Sequence, residues 1–273
     1  MSEFIFTDKD FKSIAGQVYQ ACGIVLGPHK REMVYSRLAK RLRQYGFTKF
    51  KQYLAFLEQH PEQELSHFIN ALTTNLTSFY REKHHFDYLE KELLPRALKE
   101  NTRDHKIRIW SAGCSTGEEP YSIAMSVAKV CPRVGWDIKI LATDLDSNVL
   151  HSAQQGVYNQ RQVTGIPEPL LKTWFLKSRS GEQMKVKQTL QKYITFKRLN
   201  LLEPWPMKGQ FDVIFCRNVV IYFDKVTKEH LYNLFAQRLK PGGHLFLGHS
   251  ETMGKEQTQF NNLGRTMYSK VVS

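Results

Sequence analysis

The chain has 273 residues, 41% hydrophobic and 24% charged, enough for one α/β core and a small helical domain. No apolar run approaches the roughly 18–20 residues that cross a bilayer, so no direct membrane insertion is expected. The opening Met1-Ser-Glu-Phe-Ile-Phe-Thr-Asp also lacks the basic and apolar stretches of a signal peptide. A formal net charge of +13 calls for an acidic partner, without choosing among nucleic acid, anionic membrane and an acidic protein surface.

Helical periodicity covers residues 8–22, 29–45, 50–59 and 62–72, broken at Gly27-Pro28, Gly46 and Pro61. An all-helical domain over residues 1–72 follows. Residues 73–100 read as a connector, with a further helix over 85–99 that is broken or begun near Pro95. From Lys106 the pattern changes. Short β-rich runs at 107–110, 138–142, 211–216, 243–248 and 267–272 alternate with helical stretches at 120–130, 147–155 and 227–239. That alternation predicts an α/β domain over 101–273, Rossmann-like and doubly wound, with a mostly parallel sheet. Residues 156–199 break the rhythm. Met184-Lys-Val-Lys and Tyr193-Ile-Thr-Phe-Lys alternate apolar and polar, which predicts a small antiparallel β-subdomain at about 172–198.

The stretch Ile107-Arg-Ile-Trp-Ser-Ala-Gly-Cys-Ser-Thr-Gly-Glu-Glu-Pro-Tyr121 is a strand, a small-residue turn and a helix start. Gly113 and Gly117 permit a tight turn and leave no Cβ where a ligand approaches. Glu118 and Glu119 would repel a phosphate and suit a ligand's α-amino group; either could reach it. The same residues read equally as an ordinary capped helix N-terminus. Asp144 ends the next strand, where α/β sheets place an acid on ribose hydroxyls. The run Phe211-Asp-Val-Ile-Phe-Cys-Arg-Asn218 brings polar groups to the same edge. A glycine turn, a ribose-type acid and a ligand without phosphates describe an S-adenosyl site, with no metal or nicotinamide required. Cys22, Cys114, Cys131 and Cys216 form no Cys-x-x-Cys pair, which argues against a zinc site or disulfides and for a reducing cytoplasm. His84 and His85 are neighbours whose side chains are expected to point apart, and His249 is assigned to structure at a strand end.

The sequence Leu72-Thr-Thr-Asn-Leu-Thr-Ser-Phe-Tyr-Arg-Glu82 resembles the signature of the chemotaxis receptor methyltransferases, the CheR family. The resemblance continues through Trp110-Ser-Ala-Gly-Cys-Ser-Thr-Gly-Glu-Glu-Pro-Tyr-Ser122, Asn200-Leu-Leu-Glu203, Ile214-Phe-Cys-Arg-Asn-Val-Val-Ile-Tyr-Phe-Asp224 and Gly248-His-Ser-Glu251. It also takes in Gly23-Ile-Val-Leu and His29-Lys-Arg-Glu-Met-Val-Tyr-Ser-Arg37, so that it spans nearly the whole chain in order. It implies S-adenosylmethionine as cofactor and S-adenosylhomocysteine as product. It further implies that Asn75, Thr77 and Arg81 close over the cofactor, that Glu119 takes the methionine amino group, and that Asp144 takes the ribose. Asn200 and Leu201 would flank the adenine, and Arg217 with Asn218 the methionine end. The implied reaction is methyl esterification of receptor glutamates by a cytoplasmic monomer.

A glutamate carboxylate, with a pKa near 4.3, is already ionised at neutral pH. The reaction therefore needs alignment rather than a general base. Arg81 offers a fork for the carboxylate, and Tyr222 a positioning hydroxyl unless it is only a packing residue. Arg37, Lys40, Arg41 and Arg43 lie on one predicted helix, opposite a face of Val34, Leu38, Leu42 and Tyr45, with Glu32 the only acid. Unbalanced charge of this kind suits docking onto the glutamate-rich methylation helices of receptors. The competing reading is a nucleic-acid methyltransferase; against it stands the absence of a base-flipping motif such as Asn-Pro-Pro-Tyr. Some relatives grip a receptor's C-terminal tether through a glycine-rich loop of the β-subdomain. The corresponding Leu176-Lys-Ser-Arg-Ser-Gly-Glu-Gln-Met184 has only Gly181, so docking without a tether is expected.

Overall fold

Four amphipathic helices arise where the apolar spacing places them. The first, α1 (Asp8–Cys22), opens on a reciprocal cap. The Thr7 hydroxyl accepts from the Asp10 N–H at 3.2 Å, and the Asp10 carboxylate accepts from the Thr7 N–H at 2.9 Å. It buries Phe11, Ile14, Val18 and Cys22, one stripe of its surface, and stops at Gly23 with φ +70°. A 3-10 turn at Pro28–Lys30 leads into α2 (Arg31–Tyr45), followed by α3 (Phe50–Gln59) and α4 (Pro61–Leu72), which has proline in its first turn.

In the computed structural model, which describes residues 3–132, 134–254 and 256–272, the chain divides into two compact units. The helical unit runs to Thr74 and adds the later segment Tyr222–Lys228; the second unit holds Asn75–Ile221 and the chain from Glu229 onward. Within the helical unit the Val25 N–H donates to the Tyr222 carbonyl at 2.8 Å, and the Tyr19 hydroxyl donates to the Asp224 carboxylate at 2.7 Å.

The basic residues of α2 are less free than their own helix implies. Arg41 binds the fully buried carboxylate of Glu64 on α4, which also accepts the Tyr53 hydroxyl at 2.6 Å and the Tyr45 hydroxyl at 2.9 Å. Burial alone would raise the Glu64 pKa, but these three partners outweigh it and hold the carboxyl below its usual range. Arg43 pairs with Glu3 at 2.6 Å. Arg37 donates to the Thr73 carbonyl and, at 3.4 Å, to that of Ala71, closing the C-terminal end of α4. Balancing acids thus come from α4 and the N-terminal segment, invisible to a reading of α2 alone.

In the second unit seven strands form one sheet in the order β6-β2-β1-β7-β8-β10-β9. They are β1 (Lys106–Ala112), β2 (Asp137–Asp144), β6 (Ile194–Arg198), β7 (Phe211–Cys216), β8 (Leu239–Leu247), β9 (Phe260–Gly264) and β10 (Met267–Lys270). The first five run parallel; β10 is antiparallel to β8 and to β9. Near-continuous burial along the inner ends of β1, β7 and β8 is the mark of a sheet covered on both faces. Trp110, Phe215, Phe246 and Tyr121 are fully buried.

The expectation for residues 193–197 is corrected. β6 pairs in parallel with β2, Ile140 opposite Ile194 through Asp144 opposite Arg198, and belongs to the main sheet. Its alternating pattern marks an edge strand with one face on the core, a signature that does not distinguish parallel from antiparallel. The antiparallel excursion is instead β3 (Val157–Asn159), β5 (Gln183–Val186) and β4 (Phe175–Lys177), in that order across the small sheet. The β4–β5 turn is closed by serine: Ser178 Oγ accepts the Gln183 N–H at 3.1 Å, and Gly181 takes φ +80°. Residues 84–100 form a helix with a π turn at Leu89–Leu93, just before Pro95, whose missing N–H favours such a local loosening. β9 carries no run of apolar residues and escaped the sequence pattern.

Candidate active site

The order of the parallel strands reverses between β1 and β7, and at such a switch point the carboxyl ends of the strands leave a crevice. Glu119 and Arg217 meet there. Glu119, on the first turn of the helix Glu118–Val130, accepts the Ser111 hydroxyl at 2.7 Å and Arg217 Nη1 at 3.0 Å. The Arg217 side chain is more than nine-tenths buried and that of Glu119 nearly so. Burial raises the Glu119 pKa, with Arg217 and Ser111 opposing it. Arg217 also donates to the Arg81 carbonyl, approaches Glu82 Oε2 at 3.4 Å, and keeps Nε buried without a hydrogen-bond partner. The two candidate acids are thereby told apart. Glu118 turns away from Arg217, accepting the Thr116 hydroxyl at 2.6 Å and Gln162 Nε2 at 3.5 Å.

The adjacent end of β2 presents Asp144, which accepts the Ser115 N–H at 2.8 Å and the Asp146 N–H at 3.0 Å. Burial pushes its carboxyl up to about 6 despite those N–H groups. Asp146 caps the helix Ser147–Gln155 and accepts Asn75 Nδ2 at 2.8 Å, while the Asn75 carbonyl accepts the Ser115 hydroxyl at 2.9 Å. The connector is therefore pinned at Asn75 to the glycine turn. Leu199, whose N–H donates to the Asp144 carbonyl at 3.0 Å, joins β6 to Asn200 and buried Leu201. Thr77 is half-buried in the connector, and Arg81 Nη1 donates to the Leu76 carbonyl at 2.9 Å. Asn218 follows Arg217 in the left-handed region, with φ +59°.

Tyr222 is grouped with the helical unit, its ring 4.9 Å from Lys30 Nζ. The glycines are required by the protein itself. A Cβ on Gly113, at φ +94°, would lie 2.3 Å from a Val219 methyl carbon, and one on Gly117, at φ +98°, 2.9 Å from both Ala153 Cβ and the Tyr158 hydroxyl. Cys114 is a buried thiol whose pKa burial holds well above the usual range. The expectation that His84 and His85 point apart is also corrected: their ring centroids are 4.2 Å apart on the first turn of the short helix His84–Tyr88.

Two site residues received no role from sequence. Glu251 accepts N–H groups from Gly248 at 2.6 Å, Asn218 at 2.8 Å and Ile221 at 3.1 Å, and so shapes the loop after β7. Glu82 reaches Arg217 and His249. Both acids end motifs quoted for the family resemblance, which was the one available signal.

Comparison with known proteins follows the same division. The family described as CheR methyltransferase, all-alpha domain matches residues 9–73, and CheR methyltransferase, SAM binding domain matches residues 75–269. The chain is 42% identical over 267 residues to the chemotaxis protein methyltransferase of Escherichia coli K12, covering 96% of this chain and 91% of that protein. It is 42% identical over 271 residues to chemotaxis protein methyltransferase 2 of Pseudomonas aeruginosa, covering 98% and 95%. The probable chemotaxis protein methyltransferase of Rhizobium etli is 41% identical over 260 residues, with 92% and 96% covered. With both family domains matched in order and the acid-rich switch point in place, this chain belongs to the CheR methyltransferases and is an S-adenosylmethionine-dependent enzyme.

Proposed function

We propose that the enzyme esterifies glutamate side chains on the cytoplasmic methylation helices of bacterial chemotaxis receptors. The observation that carries this reading is the buried Glu119–Arg217 pair beside Asp144 at the switch point. An acid and a guanidinium side by side suit the two charged groups of a cofactor's methionine end, and the unsatisfied Arg217 Nε has donor capacity to spare. In this reading Glu119 takes the amino group, Arg217 and Asn218 the carboxylate end, Asp144 the ribose hydroxyls, and Asn200 with Leu201 the adenine. Asn75, Thr77 and Arg81 close over them.

S-adenosylmethionine supplies an electrophilic methyl group on a sulfonium. The chain has to hold a substrate carboxylate in line with it and exclude water. Arg81 serves the carboxylate and Tyr222 the alignment; no proton needs to be moved. Asp144→Ala should weaken S-adenosylhomocysteine binding by at least about tenfold, since hydrogen bonds to a charged group are worth about 1.5–3 kcal/mol. Calorimetry would measure it, and unchanged affinity would place the ribose elsewhere. Wild-type affinity should also fall as pH drops through about 6, where Asp144 gains a proton and loses acceptor capacity.

Substrate docking is assigned to the exposed part of α2. Arg37 and Arg41 are half-buried in contacts within the helical unit, whereas Lys40 and Arg43 are exposed, Arg43 in a surface pair with Glu3. The double charge reversal Lys40→Glu, Arg43→Glu should slow receptor methylation several-fold while S-adenosylhomocysteine affinity is retained. Normal methylation would make α2 a solvated face only. The serine-closed β4–β5 turn, with side chains at Lys177, Ser178, Arg179 and Ser180, supports docking without a tether.

One experiment tests the assignment: labelled methyl transfer to receptor cytoplasmic fragments, with and without their C-terminal tails, against nucleic acid. Base-labile label on glutamate, at equal rates for both fragments, is expected. Label on nucleic acid would overturn the substrate, and a tail-dependent rate would overturn tether-free docking.

A further inference from the structure

Beside the Arg217–Glu119 pair, the connector holds two buried atoms whose lone pairs face each other. Glu82 Oε1 lies 3.2 Å from His249 Nδ1, which fixes the carboxylate and leaves Oε2 buried with no hydrogen-bond partner. His85 Nε2 lies 3.0 Å from the Arg265 carbonyl. A carbonyl can only accept, so the His85 proton sits on Nε2 and Nδ1 is left as a bare acceptor. Nδ1 is also buried and unpartnered, and it stands 3.6 Å from Glu82 Oε2. His84 is the third member: one ligand atom from each of Glu82, His84 and His85 lies within 4.8 Å of the others.

Two buried acceptors at that distance lack a donor between them, and the nearest cation, Arg217 Nη2, lies 3.4 Å to one side of Glu82 Oε2 without a hydrogen bond to it. The 3.6 Å between Glu82 Oε2 and His85 Nδ1 matches two ligands of one metal ion, with a His84 ring nitrogen within 4.8 Å of both. With bonds of about 2.0–2.1 Å, two ligands of a tetrahedral ion stand about 3.4 Å apart. Each inner ligand already has the outer hydrogen bond that orients such ligands, His85 through the Arg265 carbonyl and Glu82 through His249. Imidazole and carboxylate together select a zinc-like ion rather than magnesium or calcium.

We propose that Glu82, His84 and His85 form a binding site for a divalent transition-metal ion such as zinc, with water as fourth ligand. The ion has no part in methyl transfer. It ties the connector, through Glu82, to the loop after β8 and, through the Arg265 carbonyl, to the β9–β10 turn. Arg217, 3.4 Å from Glu82 Oε2, competes for that oxygen. Occupancy therefore weakens the grip of Glu82 on Arg217 and links metal level to the cofactor pocket.

The probe is cobalt(II) added to the untagged full-length protein, followed by visible absorption and calorimetry, then displaced by zinc. One ion with the intense absorption of a four-coordinate centre is expected. His84→Ala, at a half-buried position, should weaken binding by about tenfold or more with circular dichroism unchanged, and His249→Ala should weaken it less. His85→Gln, if folded, should abolish the tetrahedral spectrum. Absence of a saturable four-coordinate spectrum in the wild type would overturn the site. So would cobalt binding that His84→Ala leaves unchanged, which would assign the ion to surface histidines.

Discussion

Arg217→Met should destabilise the α/β unit by about 3–5 kcal/mol, the usual cost of removing one partner from a buried ion pair. Glu119 would keep only the Ser111 hydroxyl, and Glu82 would lose the charge that holds its carboxyl below its usual range. Two buried carboxylates would then share a site without a cation, and both would tend to take up protons. The pH dependence tests this directly. A carboxyl whose folded pKa is raised contributes stability at low pH and loses it as pH rises through that pKa. Wild-type Glu82 has the opposite sign, since burial of its carboxyl is outweighed by Arg217 and His249 and its folded pKa is lowered. The deficit of the variant should therefore be largest at neutral pH and shrink on acidification towards the carboxylate range. Urea midpoints across that range would measure it. A loss below about 1 kcal/mol, or one independent of pH, would mean that the pair is not held as described.

Arg81→Ala should reduce turnover by at least about 100-fold, a size expected when a reacting group is misplaced by about an ångström. The Arg81 guanidinium donates to the Leu76 carbonyl at 2.9 Å, and its own carbonyl accepts from Arg217, so the residue is gripped at both ends of its connector. It is half-buried, so circular dichroism should be unchanged. Arg81→Lys should recover little, because a single ammonium cannot hold a carboxylate by two parallel bonds. Near-normal turnover in the alanine variant would remove Arg81 from the reaction.

The architecture was legible where a rule of spacing was sufficient. The stripes Phe11, Ile14, Val18 and Val34, Leu38, Leu42 marked helices, and buried runs in β1 and β7 marked a covered sheet. Legibility failed where partners come from afar in sequence. Glu64 and Glu3 neutralise basic residues of α2 from 23 and 40 positions away, so charge counted along one helix overstated its freedom. β6 showed the right period but not its direction, which depends on its neighbour. In the site, Asp144 was expected from its position at a strand end; Glu118 and Glu119 stood equal on residue chemistry, the family motif pointed to Glu119, and its contacts with Ser111 and Arg217 set it apart from Glu118. Glu251 was marked only as the end of a family motif, without a role: its work is to accept three backbone N–H groups, and any loop acid looks alike in a sequence.

The helical unit is not contiguous in the chain, since Tyr222–Lys228 belongs to it. This matters for how such enzymes can be recombined. A chimera joined at Thr74 and Asn75 would take its first helices from one parent and its Tyr222–Lys228 segment from the other. The contacts from Tyr19 to Asp224, from Val25 to the Tyr222 carbonyl and from Lys30 to the Tyr222 ring would then be foreign pairs. On the docking proposed above, recipient specificity should be inherited cleanly only when the short later segment travels with the helices. A fragment ending at Thr74 would expose the surface that this segment covers.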